Sequence, residues 1–393
     1  MSSLVSSVLD KRYPINKTIT TNKVAALPDV LKVTARSGEK PSPAPRLCYI
    51  LRGSRRVRAF EKAPPDVQEL LSKPIRELGL KLEDSPLQRF VQQLYRELDR
   101  KGLKKFRPLC YLTDEWGCPS GEPVIGIPFY LADPKLARLE KEMNDLEDSR
   151  EIMMYLRHEA GHAINYAYEL YKTPEWRELF GPFRRPYREN YRPVAFDRRF
   201  VRHMAGWYAQ KHPDEDFAET FAVWLTPGSK WRQRYKGWGA LQKLRYMDRV
   251  ARKFRAIEPL RANGHTDITV EEMETTVADF YQKMLAEQDA PPELPLDTDL
   301  ADIFKISRRR KKGVRPAADL LRENHKAIVD KVNYWTGVSR PLIKKLLENI
   351  QARVAELALV ADIKLEKEHL TEIAVYTTAL AMNYQTRGKF VQP

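Results

Sequence analysis

Residues 149–171 read SREIMMYLRHEAGHAINYAYELY, and inside them His158-Glu159-Ala160-Gly161-His162 forms an H-E-x-x-H sequence. The apolar residues Met153, Leu156, Ala160, Ala163, Ile164 and Ala167 recur at helical spacing. They predict a buried helix from about Ser149 to Tyr171. On a helix, residues four apart lie on one face, so His158 and His162 can both aim at one ion. Glu159 then stands where it can take a proton from a water activated by zinc. Gly161 costs about 1 kcal/mol of helix stability relative to Ala, but lets a neighbouring element approach closely. The plain alternative is two surface histidines on an ordinary helix. The apolar flanks, in a chain with only 7 His, favour the metal reading.

Such a site needs a third protein ligand and an open position for water. The extension H-E-x-x-H-x-x-G-x-x-H is absent, since residue 165 is Asn and residue 168 is Tyr. His203 and His212 are candidates, and Glu215 is the better one. Residues 215–225, EDFAETFAVWL, read as a helix stopped by Thr226-Pro227-Gly228. Glu215 and Glu219 are four apart and share a face. The first can bind zinc, and the second can accept a hydrogen bond from a ligating histidine and fix its tautomer. An acidic first turn is also what a helix dipole favours. Yet Phe217, Ala218, Phe221, Ala222 and Leu225 make this helix strongly apolar, and acids in such surroundings call for a partner. Tyr208 lies seven residues before Glu215, and a phenol there could donate to the oxyanion of a tetrahedral intermediate.

RHEAGH followed by HPDEDFAETFAVWL resembles the putative zinc-binding metallopeptidases of bacteria, as do MMYLRHEAGH and the segment EWRELFG. The resemblance spans roughly residues 105–250. The EDFAE element is also similar to that of anthrax lethal factor, a gluzincin. These resemblances imply a Zn2+-dependent hydrolase of peptide bonds, a gluzincin-type metalloprotease. In it His158, His162 and Glu215 are metal ligands, Glu159 and Tyr208 are catalytic, and Glu219 supports a ligating histidine from behind. The implied fold is α+β, a zincin-like metallopeptidase core of a small sheet plus the active-site helix.

The 393 residues are 42% hydrophobic and 31% charged, which excludes a chain dominated by disorder. No apolar run approaches the roughly 18 residues that span a bilayer. No secretory signal is read at the N-terminus, and three cysteines (Cys48, Cys110, Cys118) suit free thiols in a cytoplasmic protein. The expected organisation is an irregular leader over 1–45 and the metallopeptidase domain over 46–286. An acidic then basic linker follows over 287–315, and an appended all-α domain over 316–393. Runs 106–113 and 123–131 read as strands around a Gly/Pro loop. Pro128 marks the second as an edge strand that could hold an extended substrate.

The net charge of +15 attracts polyanions. RGSRRVR (52–58), FRRPYRENYRP (183–193) and SRRRKKGVR (307–315) could track phosphates, with Phe183, Tyr187 and Tyr191 stacking on bases. The rival to the peptidase is therefore a non-catalytic, zinc-containing binding protein whose basic surface engages nucleic acid or an acidic partner. A structural site would be closed by a fourth protein ligand, whereas an enzyme leaves that position open.

Overall fold

The computed structural model of the protein describes residues 64–143, 146–187, 191, 193–286, 296–306 and 313–387. The expected leader over 1–45, the basic run 52–58, Cys48, the acidic stretch 287–295 and residues 307–312 lie outside them. Helix α1 (Pro65–Ser72) opens on proline at a position where a missing N–H costs nothing. Helix α2 (Gln88–Arg100) buries Phe90, Val91, Leu94 and Leu98, the face its periodicity marks. Strands β1 (Leu109–Thr113) and β2 (Val124–Pro128) pair in parallel, Leu109 opposite Val124 and Thr113 opposite Pro128. The link between them folds back, so that Gly117 exchanges two backbone hydrogen bonds with Gly126. Strand β2 is buried along its whole length, and Gly117 covers its outer side. In this two-stranded sheet β2 is an edge strand, as Pro128 marks it, but its burial and the bridge at Gly117 restrict the open backbone expected to hold a substrate.

Helix α3 (Pro134–Met143) leads to α4 (Ser149–Ala167), whose start is fixed by a capping box. Asp148 accepts from the N–H groups of Arg150 and Glu151, and Glu151 accepts from that of Asp148. Helix α4 ends short of Tyr171 because Glu169 turns to a left-handed φ of 50° and Leu170–Lys172 tightens into a 3-10 turn. Helix α5 (Pro174–Phe180) is capped by Thr173. A 3-10 segment, Ala205–Gln210, precedes α6 (Pro213–Leu225), every residue of which is buried. Helix α6 crosses α4 so closely that a Cβ on Gly161 would stand 2.7 Å from Ala218 Cα. Helices α7 (Trp231–Arg234), α8 (Ala240–Phe254) and α9 (Val277–Ala286) complete this part. Arg157 on α4 grips the buried Glu97 of α2 through two bonds of 2.7 and 2.8 Å.

Beyond it come α10 (Asp297–Ile303), β3 (Lys305–Ile306), β4 (Val314–Pro316), α11 (Ala317–Thr336), α12 (Arg340–Glu356), β5 (Leu359–Asp362) and α13 (Glu366–Arg387). The region is thus not all-α: β3, β5 and β4 form a three-stranded antiparallel sheet. Its strands are two to four residues long, and apolar runs so short fit a helical and a strand period equally. The fold is α+β and mostly helical.

The buried apolar side chains form two clusters, one drawn from residues 71–281 and one from 296–381. Polar and aromatic contacts join them. Lys326 Nζ bonds Glu151 Oε2 at 2.7 Å and the carbonyl of Leu146 at 3.1 Å. The Arg202 guanidinium lies 3.9 Å from the Trp207 ring, 4.5 Å from Tyr334 and 5.3 Å from Trp335, and donates to the Tyr334 carbonyl. Gly337 rests on Trp207, where a Cβ would meet the indole at 2.7 Å. Among the described residues, no helix is long and apolar enough to cross a membrane.

Candidate metal centre

Helices α4 and α6 build the centre together. The close crossing at Gly161 brings one turn of each into register, so side chains four apart on α4 meet side chains from the first turns of α6. His158 Nε2 lies 3.0 Å from Glu215 Oε2 and 3.1 Å from His162 Nε2, and His162 Nε2 lies 3.2 Å from the same Glu215 oxygen. All three residues are buried. Tetrahedral zinc with bonds of about 2.0–2.1 Å holds its ligand atoms about 3.3–3.4 Å apart, so this triangle has nearly the required size.

The other ring nitrogens face carboxylates. His158 Nδ1 donates to Glu219 Oε1 at 3.0 Å, and His162 Nδ1 donates to Asp214 Oδ2 at 3.0 Å. A carboxylate can only accept, so each Nδ1 carries hydrogen, and Nε2 is the nitrogen of each ring that can ligate a metal once it gives up its own proton. Glu219 is itself held by the backbone N–H groups of His203 and Met204. Asp214 also accepts from Tyr166 Oη at 2.5 Å and from Asn165 Nδ2 at 2.8 Å.

Four buried carboxylates, Glu159, Asp214, Glu215 and Glu219, surround two imidazoles. Such a cluster is short of positive charge, and a divalent cation is the group that restores it. The same imbalance governs protonation. Burial opposes charging of His158, but Glu215 and Glu219 outweigh it and push its pKa up to about 9. Burial likewise disfavours the Glu215 carboxylate, yet the two histidines hold it well below the usual carboxylate range. The donor set, its size and its charge all fit a metal such as zinc.

Five of the residues singled out in the sequence line one cleft, and Glu219 lies behind it on His158 Nδ1. A cavity of about 1720 Å³ is lined by His158, Glu159, His162, Tyr208 and Glu215 on one side and by Ala327, Lys331 and Tyr334 of α11 on the other. The Tyr208 hydroxyl lies 3.3 Å from Glu215 Oε1. Its approach depends on a backbone kink, since Gly206 and Trp207 both have positive φ, 79° and 56°. His203 and His212 are not brought to the triangle. His203 Nε2 donates to the carbonyl of Met154. His212 caps α6 by accepting from the N–H of Asp214, and its other nitrogen donates to the carbonyl of Arg185.

The sequence reading missed Asp214, Tyr166, Asn165 and Tyr187. The first three were within reach of the helical period: Asn165 and Tyr166 follow His162 by three and four residues, and Asp214 precedes Glu215. Tyr187 gave no periodic signal. Its hydroxyl lies 2.5 Å from Glu215 Oε1. The rings expected to stack on bases are engaged by the protein. Phe183 stacks on Tyr171, Tyr187 stacks on His212, and the Tyr191 hydroxyl donates to the carbonyl of Gly206. The two cysteines within the described residues, Cys110 and Cys118, are free thiols, and burial pushes Cys110 up to about 12.

The sequence model of the family described as "Putative zinc-binding metallo-peptidase" matches residues 122–231, which contain both the H-E-x-x-H turn and the whole of α6. The match is narrower than the expected 105–250. No curated protein and no solved structure matches the chain.

Proposed function

We propose that the protein is a zinc-dependent peptidase of gluzincin type, with His158, His162 and Glu215 as its metal ligands. The observation that carries this reading is the convergence of three donor atoms to within 3.2 Å of one another in a cleft that Glu159 and Tyr208 share. Zinc held by His158, His162 and Glu215 would supply Lewis acidity and would lower the pKa of water toward about 7. Glu159 accepts the proton of the attacking water and returns it to the leaving amine. The Tyr208 hydroxyl donates to the oxyanion as the carbonyl carbon becomes tetrahedral. Glu219 and Asp214 hold the two imidazoles in the tautomer that ligates through Nε2.

In this reading residues 46–286 are the catalytic unit; the expected linker over 287–315 is cut short, because Leu296, Leu300 and Phe304 pack in the core of the appended unit whose helix α11 walls the cleft. The substrate is a protein or peptide, and free thiols at Cys110 and Cys118 fit a bacterial cytoplasm. A non-catalytic zinc protein would close its site with a fourth ligand. Among the described residues no further His, Cys, Asp or Glu joins the triad. Engagement of Phe183, Tyr187 and Tyr191 within the protein also weakens the nucleic-acid alternative.

Metal content by elemental analysis tests the reading. Wild type should hold about one zinc per chain, His158→Ala and Glu215→Ala should hold none, and Glu219→Ala should hold it more weakly. A proteome-wide cleavage screen should then show products with wild type that are absent with Glu159→Gln. Metal-free wild type, or equal products from Glu159→Gln, would defeat the proposal.

A further inference from the structure

Glu215 offers two oxygens, and the structure treats them differently. Oε2 faces the two imidazole nitrogens at 3.0 and 3.2 Å. Oε1 accepts from two phenols, Tyr187 at 2.5 Å and Tyr208 at 3.3 Å. A carboxylate with both oxygens free can chelate a metal through both, adding a bond and filling the position that a substrate or water needs. An oxygen already bound to two hydroxyl groups has its lone pairs spent. The shorter of these contacts comes from outside the two site helices. The Tyr187 ring stacks on His212 with centroids 4.1 Å apart and planes 16° apart. His212 is the cap of α6, and its Nε2 donates to the carbonyl of Arg185, two residues before Tyr187. The segment carrying Tyr187 is thus fastened to the same helix end that presents Glu215.

We propose that Tyr187 is a positioning residue for the metal carboxylate. It locks Glu215 Oε1 away from the ion, confines Glu215 to binding through Oε2 alone, and so keeps one coordination position open. The inference rests on the reading of His158, His162 and Glu215 as metal ligands. Tyr208, at the longer distance, holds the same oxygen less firmly and is left freer to serve a substrate.

The test uses the full chain loaded with cobalt(II), whose visible absorption is intense when four-coordinate and weak when more ligands bind. Wild type should show the intense bands. Tyr187→Phe keeps the ring on His212 and removes only the hydroxyl; it should lose most of the band intensity and bind cobalt about tenfold more weakly. Tyr208→Phe should change both less. Tyr191→Phe controls for loosening of the segment, because its hydroxyl anchors to the Gly206 carbonyl at 2.6 Å and not to the carboxylate; it should leave the spectrum as in wild type. Unchanged bands and affinity in Tyr187→Phe would overturn the proposal while leaving the metal reading intact. Equal losses in Tyr187→Phe and Tyr191→Phe would overturn it in favour of simple anchoring. Wild type that takes up no cobalt would overturn the metal reading and this inference with it.

Discussion

At Gly161 two tendencies oppose each other. Alanine there gains about 1 kcal/mol of helix propensity, whereas forcing a methyl into a packed site costs about 1–3 kcal/mol. The atoms it would meet are the Cα and carbonyl oxygen of Ala218, at 2.7 and 2.9 Å, and backbone cannot swing aside. Gly161→Ala should therefore lower stability in urea unfolding and weaken zinc binding, because it spreads α4 from α6; a stabilised variant with wild-type zinc affinity would contradict the close crossing. Glu147 gives a pH dependence. Trp116 Nε1 and the Tyr130 hydroxyl donate to one of its oxygens, and the other is buried without a hydrogen-bond partner. Burial raises its pKa above the ordinary carboxylate value. The native state then holds this proton more tightly than the unfolded chain does, so stability is lost as pH rises above about 4.3 and through the raised value. Glu147→Gln should stabilise the protein in urea at pH 8 and have little effect at pH 4; the reverse order would show that the sign is wrong. The sequence displayed His158, Glu159, His162, Glu215 and Glu219 because each sits at helical spacing from another member of the set. Tyr187 was illegible because its position depends on the path of an irregular segment, which carries no period.

Helix α6 carries acids of two kinds on its first turns. Asp214 faces His162, whereas Asp216, two residues on, turns away to bond Lys243 Nζ at 2.5 Å. Residues two apart on a helix do not share a face, so these carboxylates have separate duties. Asp214→Asn should weaken zinc affinity by about 10–100-fold with little change in melting temperature. Asp216→Asn should do the opposite, since it strands a buried lysine, at a cost of about 3–5 kcal/mol. Calorimetric zinc titration and thermal melts of both variants separate the two; similar losses in both assays for both variants would refute the division. Helices α4 and α6 were readable from apolar periodicity and from the Thr226-Pro227-Gly228 stop. The strands at 109–113 and 124–128 were readable as strands, but neither their parallel pairing nor the burial of β2 was, since pairing is decided by residues distant in the chain. Strand β5 was hidden between two helices because four residues are too few to show a period.

The described residues hold two apolar clusters joined by two polar and aromatic clasps. One clasp is Lys326 on Glu151, at the cap of α4; the other is Arg202 among Trp207, Tyr334 and Trp335, with Gly337 seated on Trp207. Neither clasp is apolar burial of the kind that fuses two cores, so few substitutions should part them. Lys326→Ala combined with Arg202→Ala should split thermal unfolding into two transitions; a single unshifted transition would mean that other contacts join the halves. The clasp at Trp207 has one more consequence. Trp207 immediately precedes Tyr208, and Lys326 bonds Glu151 at the start of the helix that carries both histidines, so metal occupancy of the centre and attachment of α11 should be coupled. An antibody fragment raised against the outer face of α13 that favours detachment of α11 would lower zinc affinity without touching a ligand. Zinc would weaken that fragment's binding by the same factor, because coupling between two sites is reciprocal.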